Sequence, residues 1–250
     1  MSRLVAIYNT WSDCLDLLEK SVENILPVVD GVIIVYSNIS NYGEYKEFLF
    51  ENNDPKISIH LMEPTQKINP HANETNKRNF GLKLAKEQGY DYFLMADSDE
   101  FYFQQDIINC KDYLQNNPEI NGLVARINVL FKKPTLWVPD HTLVPFIHKL
   151  GINTQLGNFK HYPFTYDHKG DCHIDPTRRV NYNNGIEMAD VIMWHASWYR
   201  QDYNIKINNS AARGNLMKST IFQDLEKADV NVYNDFYREV LRECDNFFNI

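Results

Sequence analysis

Short apolar segments alternate with segments of helical periodicity through the first half of the chain. Each apolar segment has the length of a buried strand, and five occur, at residues 4–8, 32–36, 57–61, 90–96 and 122–129. Between them, apolar residues recur at the three- to four-residue spacing of an amphipathic helix. Strand and helix alternation of this kind is typical of an α/β protein with a mostly parallel sheet flanked by helices.

The predicted helices have recognisable boundary residues. Ser12 is a favourable N-cap for the first helix, and Pro27 marks its end. Gly89 is a suitable C-cap for a helix that covers residues 73–88. Further helices are predicted near residues 45–52, 105–115 and 203–217, and in a C-terminal stretch with apolar residues at Phe236, Val240, Leu241, Cys244 and Phe247.

The second half of the chain is less regular. Residues 134–187 are rich in His, Pro, Asn, Asp and Gly, so long loops and short strands are predicted there, forming an irregular lobe. A short strand follows at residues 191–194. The chain has no repeat and no low-complexity segment, and we predict one domain over 1–250, with a regular half at 1–130 and an irregular half at 131–250.

The composition is that of an ordinary globular protein, with 44% hydrophobic and 23% charged residues. The formal net charge of −8 disfavours binding to nucleic acid or to anionic lipid, since both are negatively charged. No apolar run reaches 18 residues, so no membrane span is predicted. The four cysteines are far apart and include no CxxC pair, which favours reduced thiols and a cytoplasmic protein.

Two carboxylates follow the fourth predicted strand, in the segment YDYFLMADSDEFY. Asp97 and Asp99 are two residues apart, so in extended geometry both point to the same side of the chain. Oxygen ligands of this kind suit Mn²⁺ or Mg²⁺, and such an ion acts as a Lewis acid on a departing diphosphate. The placement after a buried strand favours a metal and nucleotide site over a solvated turn.

The ends of the predicted strands indicate where a nucleotide would lie. Ligands of open α/β sheets bind at the carboxyl ends of the strands. We therefore expect a nucleotide pocket beside the carboxylates, and an aromatic ring from the first strand end is suited to stacking on the base. The residues expected to line this pocket are Tyr8, Asn9, Thr10, Trp11 and Ser98.

Two segments resemble glycosyltransferases. The aspartate pair, with the upstream segment KRNFGLKLA, is similar to GT-A enzymes and to glycosyltransferase family 2 over about residues 3–130. The segment VIMWHASWYR resembles the WHxSW segment of the bisecting N-acetylglucosaminyltransferase family, which also carries a DxDE motif. The resemblance implies a GT-A fold and metal-dependent transfer of a sugar from a nucleotide-sugar donor, mostly a uridine nucleotide, to a hydroxyl of a carbohydrate or other acceptor.

The resemblance also implies roles for individual residues. Lys77, Arg78 and Asn79, the KRN of the helix start, would hold the donor. His195 would be the third metal ligand, and neutral imidazole is a sound ligand for Mn²⁺. Lys206, further along on a predicted helix, is the cation that we expect to close over the diphosphate.

Transfer with inversion needs a carboxylate that takes the proton of the acceptor hydroxyl. In the segment FTYDHKGDCHIDPTRRV, Asp175 is favoured because Pro176 fixes its loop, and Asp171 is the alternative. Several families of this fold place the acid in a V-H-E tripeptide, whereas residues 160–162 here are KHY and lack it. The histidines near this segment fit no common closed zinc site.

Three other interpretations stay open. A nucleotidyltransferase acting on a sugar phosphate uses a similar sheet, but its Gly-rich loop is missing from the sequence after the first strand, YNTWSDC. A sugar- or metal-binding module without catalysis would have a degenerate site, whereas the aspartates and the histidine are present. Modified DNA bases are a further class of acceptor, against which the acidic composition argues.

Overall fold

One sheet crosses both halves of the molecule, in a computed structural model that describes residues 2–12, 15–65, 69–164, 174–199, 203–210 and 213–250. The strands are β1 (Leu4–Trp11), β2 (Gly31–Ser37), β3 (Ile57–Leu61), β4 (Tyr92–Asp97), β5 (Glu100–Phe101), β6 (Gly122–Phe131), β7 (Leu136–Lys149), β8 (Leu156–Gly157), β9 (Arg179–Val180), β10 (Ile186–Trp198), β11 (Tyr233–Asn234), β12 (Glu239–Val240) and β13 (Arg242–Glu243). The helices are α1 (Leu15–Ile25), α2 (Pro70–Glu87), α3 (Gln104–Asn116), α4 (Tyr203–Asn209), α5 (Arg213–Leu216) and α6 (Ile221–Lys227).

The main sheet has the strand order β3-β2-β1-β4-β7-β6-β10-β5, and β13 pairs with β7. The first four strands in this order are parallel, as are β6 and β10, while β7 is antiparallel to both β4 and β6. The predicted α/β fold, a mostly parallel sheet flanked by helices, is confirmed. None of the helices in the described part of the chain is long and apolar enough to cross a membrane.

Alternate residues of β1 face opposite sides of the sheet and belong to two buried clusters. Tyr8 packs in a cluster that includes Leu18 of α1 and Ile107 of α3. Ile7 packs on the other side, in a cluster that includes Leu82 of α2. The helices therefore cover both faces of the parallel strands, and the strand ends between them are left for a site.

Helix α2 approaches β1 closely at Gly81. A Cβ on this glycine would lie 2.4 Å from a methyl carbon of Ile7, which is too close for any other residue without a shift of the neighbouring atoms. The glycine thus lets α2 pack tightly on the strand. This packing brings Lys77 and Arg78, one turn earlier on the helix, to the carboxyl end of β1.

The helix boundaries follow the sequence signals with two differences. Helix α1 ends at Ile25 and is followed by a 3-10 turn, Leu26–Val28, that contains Pro27, and Gly89 adopts the left-handed φ of +73° expected of a C-cap. Helix α2 starts three residues earlier than predicted, because the Asn69 side chain accepts a hydrogen bond from the N–H of Ala72 at 2.8 Å. The Ser12 hydroxyl donates to the Ser37 carbonyl at 3.3 Å, and the rest of its predicted cap lies outside the described residues.

The helix predicted at residues 45–52 is wrong, because this segment is an extended loop. The ring of Phe48 stacks on Tyr36 of β2, with centroids 4.1 Å apart, and the ring of Phe50 lies 6.1 Å from that of Phe48. These two aromatic residues are two positions apart, as in extended chain. Packing of the rings against the sheet outweighs the helical spacing of the other apolar residues.

The C-terminal helix is also wrong. The chain there forms the short strands β11, β12 and β13, and Arg238 has a left-handed φ of +58° between the first two. The buried carboxylate of Asp224 on α6 accepts the N–H groups of Asp235 and Phe236, which fixes a turn where a helix was expected. The helix predicted at 203–217 is divided into α4 and α5, with residues 211–212 outside the description.

The half of the chain predicted to be irregular, 131–250, contains two long strands. Strand β7 has 14 residues and β10 has 13, and they extend the sheet well beyond residue 130. Pro139 and Pro145 obscured β7 in the sequence, because proline cannot donate to a strand ladder. Both prolines lie opposite β6, whose register with β7 shifts between Arg126 and Ile127.

Candidate functional site

A polar cavity of about 480 Å³ lies at the carboxyl ends of β1, β2 and β4. Within it lie most of the residues that the sequence had indicated, from both halves of the chain. The predicted residues that line it are Asn9, Thr10, Trp11, Lys77, Arg78, Asp97, Ser98, Asp99, Asp175, His195 and Lys206. The cavity thus lies at the strand ends where the sequence analysis placed the nucleotide pocket.

Tyr8 and Asn79, both predicted to contact the donor, lie elsewhere. Tyr8 is fully buried in the core on the α1 side, and its hydroxyl lies 2.9 Å from Ser21 Oγ. It faces away from the cavity because neighbouring strand residues point to opposite sides. The amide of Asn79 makes two 2.8 Å hydrogen bonds with the backbone of Leu156 and so anchors β8. The predicted base Asp171 lies outside the described residues.

Two arginines hold Asp97. Arg178 Nη2 donates to Oδ2 of this carboxylate, and Arg78 Nη2 lies 3.1 Å from its Oδ1. Burial alone would raise the pKa of Asp97, but the two guanidinium groups outweigh burial and hold the pKa below its ordinary value. Arg178 also binds Glu100, the last residue of the DSDE motif, whose pKa is raised by burial.

A second cluster surrounds Asp99 on the other side of the motif. Its Oδ1 lies 3.3 Å from His195 Nε2, and its Oδ2 accepts a hydrogen bond from Lys206 Nζ at 2.7 Å. Ser197 joins these groups, because its Oγ accepts from Lys206 at 2.6 Å and lies 2.6 Å from His195 Nε2. Strand β10 supplies both His195 and Ser197, so the WHASW segment and the DSDE motif meet as the sequence indicated.

These residues suit a divalent metal in part. A carboxylate oxygen and an imidazole nitrogen lie side by side at Asp99 and His195, a ligand pair that Mn²⁺ accepts. Asp97 is engaged by arginines, and the residues that the structure describes contain no group of three His, Cys, Asp or Glu side chains that could hold a metal. Of the three residues predicted to share a metal ion, Asp99 and His195 lie side by side, and two protein ligands would suffice only where waters and substrate phosphates completed the coordination.

Lys77 and Arg78 have different roles in the cavity. Lys77 Nζ donates to the Thr10 carbonyl at 2.9 Å and to Ser37 Oγ at 2.8 Å, which ties the ends of β1 and β2 together. Burial lowers the pKa of this lysine to about 8. Arg78 is almost fully buried, and its Nε and Nη1 have no hydrogen-bond partner among the described residues. Two donor nitrogens of this buried guanidinium, which lines the cavity, are thus unsatisfied by the described residues.

Asp175, the predicted base, also lines the cavity. Its Oδ1 accepts hydrogen bonds from the backbone N–H and the hydroxyl of Thr177, each at 2.7 Å. Its Oδ2 lies 3.5 Å from Arg178 Nε and 3.8 Å from Arg78 Nη2. The carboxylate is therefore held in one orientation, with about a third of the side chain exposed.

Glu74 is a cavity residue that the sequence reasoning missed. It lies one turn before Arg78 on α2, and that i, i+4 spacing is the signal that could have found it. Burial raises the pKa of Glu74 to about 7, with Arg78 opposing the rise and Asp175 adding to it. A carboxyl group with a pKa in this range is suited to proton transfer at neutral pH.

The cavity has an aromatic and acidic wall on the side of β10 and the C-terminal strands. Trp198, Phe236 and Tyr237 line it together with Asp140. The Trp198 indole donates to the Tyr237 hydroxyl at 2.8 Å, and the rings of Phe236 and Tyr237 are 4.9 Å apart. The sequence did not reveal this wall, because its C-terminal part was predicted to be helical.

No protein-family model matches the chain, and no curated protein matches it. Solved structures that are similar to this one include TarS of S. aureus, with 12% sequence identity and a TM-score of 0.42. The superposition covers 78% of this chain and 36% of the TarS chain. A candidate nucleotide-diphospho-sugar transferase from Desulfovibrio desulfuricans G20 has 11% identity and a TM-score of 0.39, covering 90% of this chain and 99% of the other. A shorter form of S. aureus TarS, solved in complex with UDP, has 13% identity and a TM-score of 0.34. This superposition covers 56% of this chain and 39% of the other. The chain thus spans about a third of the full TarS chain.

Proposed function

We propose that the protein is a GT-A glycosyltransferase that moves a sugar from a nucleoside diphosphate sugar to an acceptor hydroxyl, with Mn²⁺ or Mg²⁺ as cofactor. The observation that carries this proposal is the meeting of Asp99 and His195, from motifs almost a hundred residues apart, in one cavity with Arg78 and Lys206. Carboxylate and imidazole ligands beside an arginine and a lysine suit a metal-bound diphosphate.

The donor diphosphate is assigned to the cationic side of the cavity. Arg78 has two buried donor nitrogens without a hydrogen-bond partner in the part of the chain that the structure describes, and an anionic oxygen would satisfy them. Trp11 lines the same side, and its indole donates to the Asn38 carbonyl at 3.3 Å, which fixes the ring for stacking on a base. Asn9 Oδ1 is buried without a hydrogen-bond partner among the described residues, so this amide is available to the nucleotide as well. We take the base to be uracil, as the resembled families imply.

Asp99 and His195 would hold the metal ion, which supplies Lewis-acid stabilisation of the departing diphosphate. The chain's own groups do the rest. Arg78 and Lys206 neutralise phosphate charge, while Arg178 keeps Asp97 and Glu100 in place behind the site. Exclusion of water by the buried end of the cavity strengthens these interactions.

The acceptor is assigned to the aromatic and acidic wall. Rings such as Phe236 suit the apolar faces of a sugar, and carboxylates such as Asp140 suit its hydroxyl groups. The same carboxylates disfavour a polyanion such as DNA. We propose that Asp175 is the general base that takes the proton of the acceptor hydroxyl. This role implies direct displacement with inversion at the anomeric carbon. Glu74 is the other carboxyl group with suitable chemistry.

Thermal unfolding with nucleotides tests the donor assignment. Because a ligand stabilises the folded state that binds it, UDP with Mn²⁺ at about 100 times its Kd should stabilise the protein by about 2.7 kcal/mol. For a chain of this size that corresponds to about 5–10 °C in Tm. We expect a smaller shift from UDP with a chelator, and a smaller metal effect in Asp99→Asn.

The matched control is Asp112→Asn, since Asp112 is exposed on α3, away from the cavity. This variant should keep the full metal-dependent shift. A larger shift with GDP than with UDP would overturn the choice of uridine. No shift with any nucleoside diphosphate, with or without metal, would contradict the proposed function.

A further inference from the structure

The ammonium group of Lys206 contacts one carboxylate oxygen of Asp99, and His195 contacts the other. It lies 2.7 Å from Oδ2, while the imidazole lies 3.3 Å from Oδ1. Ser197 Oγ connects these two groups, since it lies 2.6 Å from both Lys206 Nζ and His195 Nε2. A carboxylate with only 4% of its side chain exposed is thereby compensated by the chain's own cation.

We propose that Lys206 is an exchanging counter-ion: it neutralises Asp99 while no metal is bound, and it moves to the donor diphosphate when a divalent metal replaces it. This inference rests on the proposed function, since it concerns the same site. Lys206 would thus bind Asp99 first and the donor diphosphate later, so that metal binding at Asp99 makes the lysine available to the donor.

A metal ion bound between Asp99 Oδ1 and His195 would place a second cation on the carboxylate that already binds Lys206 through Oδ2. Divalent ions bind carboxylate oxygens at about 2.0–2.6 Å, and the ammonium lies 2.7 Å from the same carboxylate. Two cations this close repel strongly in a buried site. The oxygens of a bound diphosphate offer the ammonium a partner farther from the metal, so movement of Lys206 from Asp99 to the phosphate relieves this repulsion.

The Lys206 side chain can move, and a diphosphate in the cavity would be within its reach. Its flexible four-carbon stem extends from α4, and its ammonium lies 5.9 Å from the centre of the Trp198 ring, at the wall of the cavity. The side chain is partly exposed, at 19%, and lines the cavity that also contains the free donors of Arg78. A diphosphate between these two cations would accept hydrogen bonds from both.

The exchange predicts effects of opposite sign when the charge of Lys206 is removed. Without nucleotide, the ammonium competes with metal for Asp99, so its loss should tighten metal binding. With nucleotide and metal present, the ammonium is a phosphate ligand, so its loss should weaken nucleotide binding. A lysine that only stabilised the local structure would move both affinities in the same direction, since its loss would loosen the whole site.

Lys206→Met tests the exchange, because methionine keeps an unbranched apolar stem against Trp198. Titration with Mn²⁺ alone, followed by the electron paramagnetic resonance signal of the free ion, should show about ten- to a hundredfold tighter binding than in the unmodified protein. Calorimetry with UDP at saturating Mn²⁺ should show UDP binding weakened by a similar factor. Lys218→Met, an exposed lysine on the same part of the chain, should change neither affinity.

Weaker Mn²⁺ binding by Lys206→Met, or unchanged UDP binding, would overturn the exchange while leaving the proposed function intact. If the unmodified protein bound neither Mn²⁺ nor UDP, the proposed function and the exchange would both fail. The two failures are therefore distinguishable within one set of titrations.

Discussion

Replacement of Asp175 by Asn is expected to lower the turnover of sugar transfer by about 10²–10⁴-fold, the usual contribution of a general base. Asparagine is nearly isosteric and can still accept hydrogen bonds from Thr177, so the loop should keep its conformation. It cannot take the proton of the acceptor hydroxyl. The affinity for UDP, measured by calorimetry, should change far less than turnover: Asp175 lies 3.8 Å from Arg78, the proposed diphosphate ligand, but asparagine keeps an oxygen that can accept from this guanidinium.

Glu74→Gln is the matched comparison for this variant, since Glu74 is the other carboxyl group of the cavity with suitable chemistry. If Asp175→Asn retained normal turnover while Glu74→Gln lost it, the base would be Glu74. The anomeric configuration of the product, read by proton NMR, checks the mechanism independently. Retention at the anomeric carbon would exclude inversion whichever carboxylate acts.

Replacement of Arg178 by Met is expected to destabilise the folded protein by about 3–5 kcal/mol, as when one partner of a buried ion pair is removed. Arg178 is 3% exposed and binds both Asp97 and Glu100. Without it, the nearly fully buried Glu100 loses its guanidinium partner. Equilibrium unfolding in urea measures this loss directly.

Arg126→Met is the control for this prediction. Arg126 lies 3.7 Å from Asp190 at the surface, where both side chains are well exposed, and such a pair contributes at most about 1 kcal/mol. In the Arg178→Met background, Glu100→Gln should restore part of the stability, because it removes one of the uncompensated charges. A loss no larger than that of Arg126→Met would contradict the structural role assigned to Arg178.

The sequence predicts the first half of the fold well, because its strands are short apolar runs and its helices have clear end signals such as Gly89. It fails where packing between distant segments decides the conformation. The ring of Phe48 stacks on that of Tyr36, and the Asp224 carboxylate accepts hydrogen bonds from backbone N–H groups eleven and twelve residues away. A window of local periodicity contains neither contact, so both segments were predicted as helices.

In the candidate site, too, residues with a local sequence signal could be predicted, and contacts between distant segments could not. The aspartates are found because they directly follow a buried strand, and His195 because its flanking sequence resembles a known motif. The partners of those residues could not be predicted. Arg178 reaches Asp97 across 81 residues, and Lys206 reaches Asp99 across 107. These pairs depend on the order of the strands in the sheet, which the sequence pattern leaves open.

The reaction itself tests the central claim most directly. We would incubate the protein with Mg²⁺, a panel of UDP-linked sugars and simple alkyl glycosides as acceptors, and follow the phosphorus NMR spectrum. The proposed function predicts that one UDP-sugar is converted to UDP, and that Asp99→Asn slows this conversion while Asp112→Asn does not. A parallel incubation contains UTP and sugar phosphates instead. Release of pyrophosphate there, with no conversion of any UDP-sugar in the first incubation, would contradict the proposed function and indicate a nucleotidyltransferase.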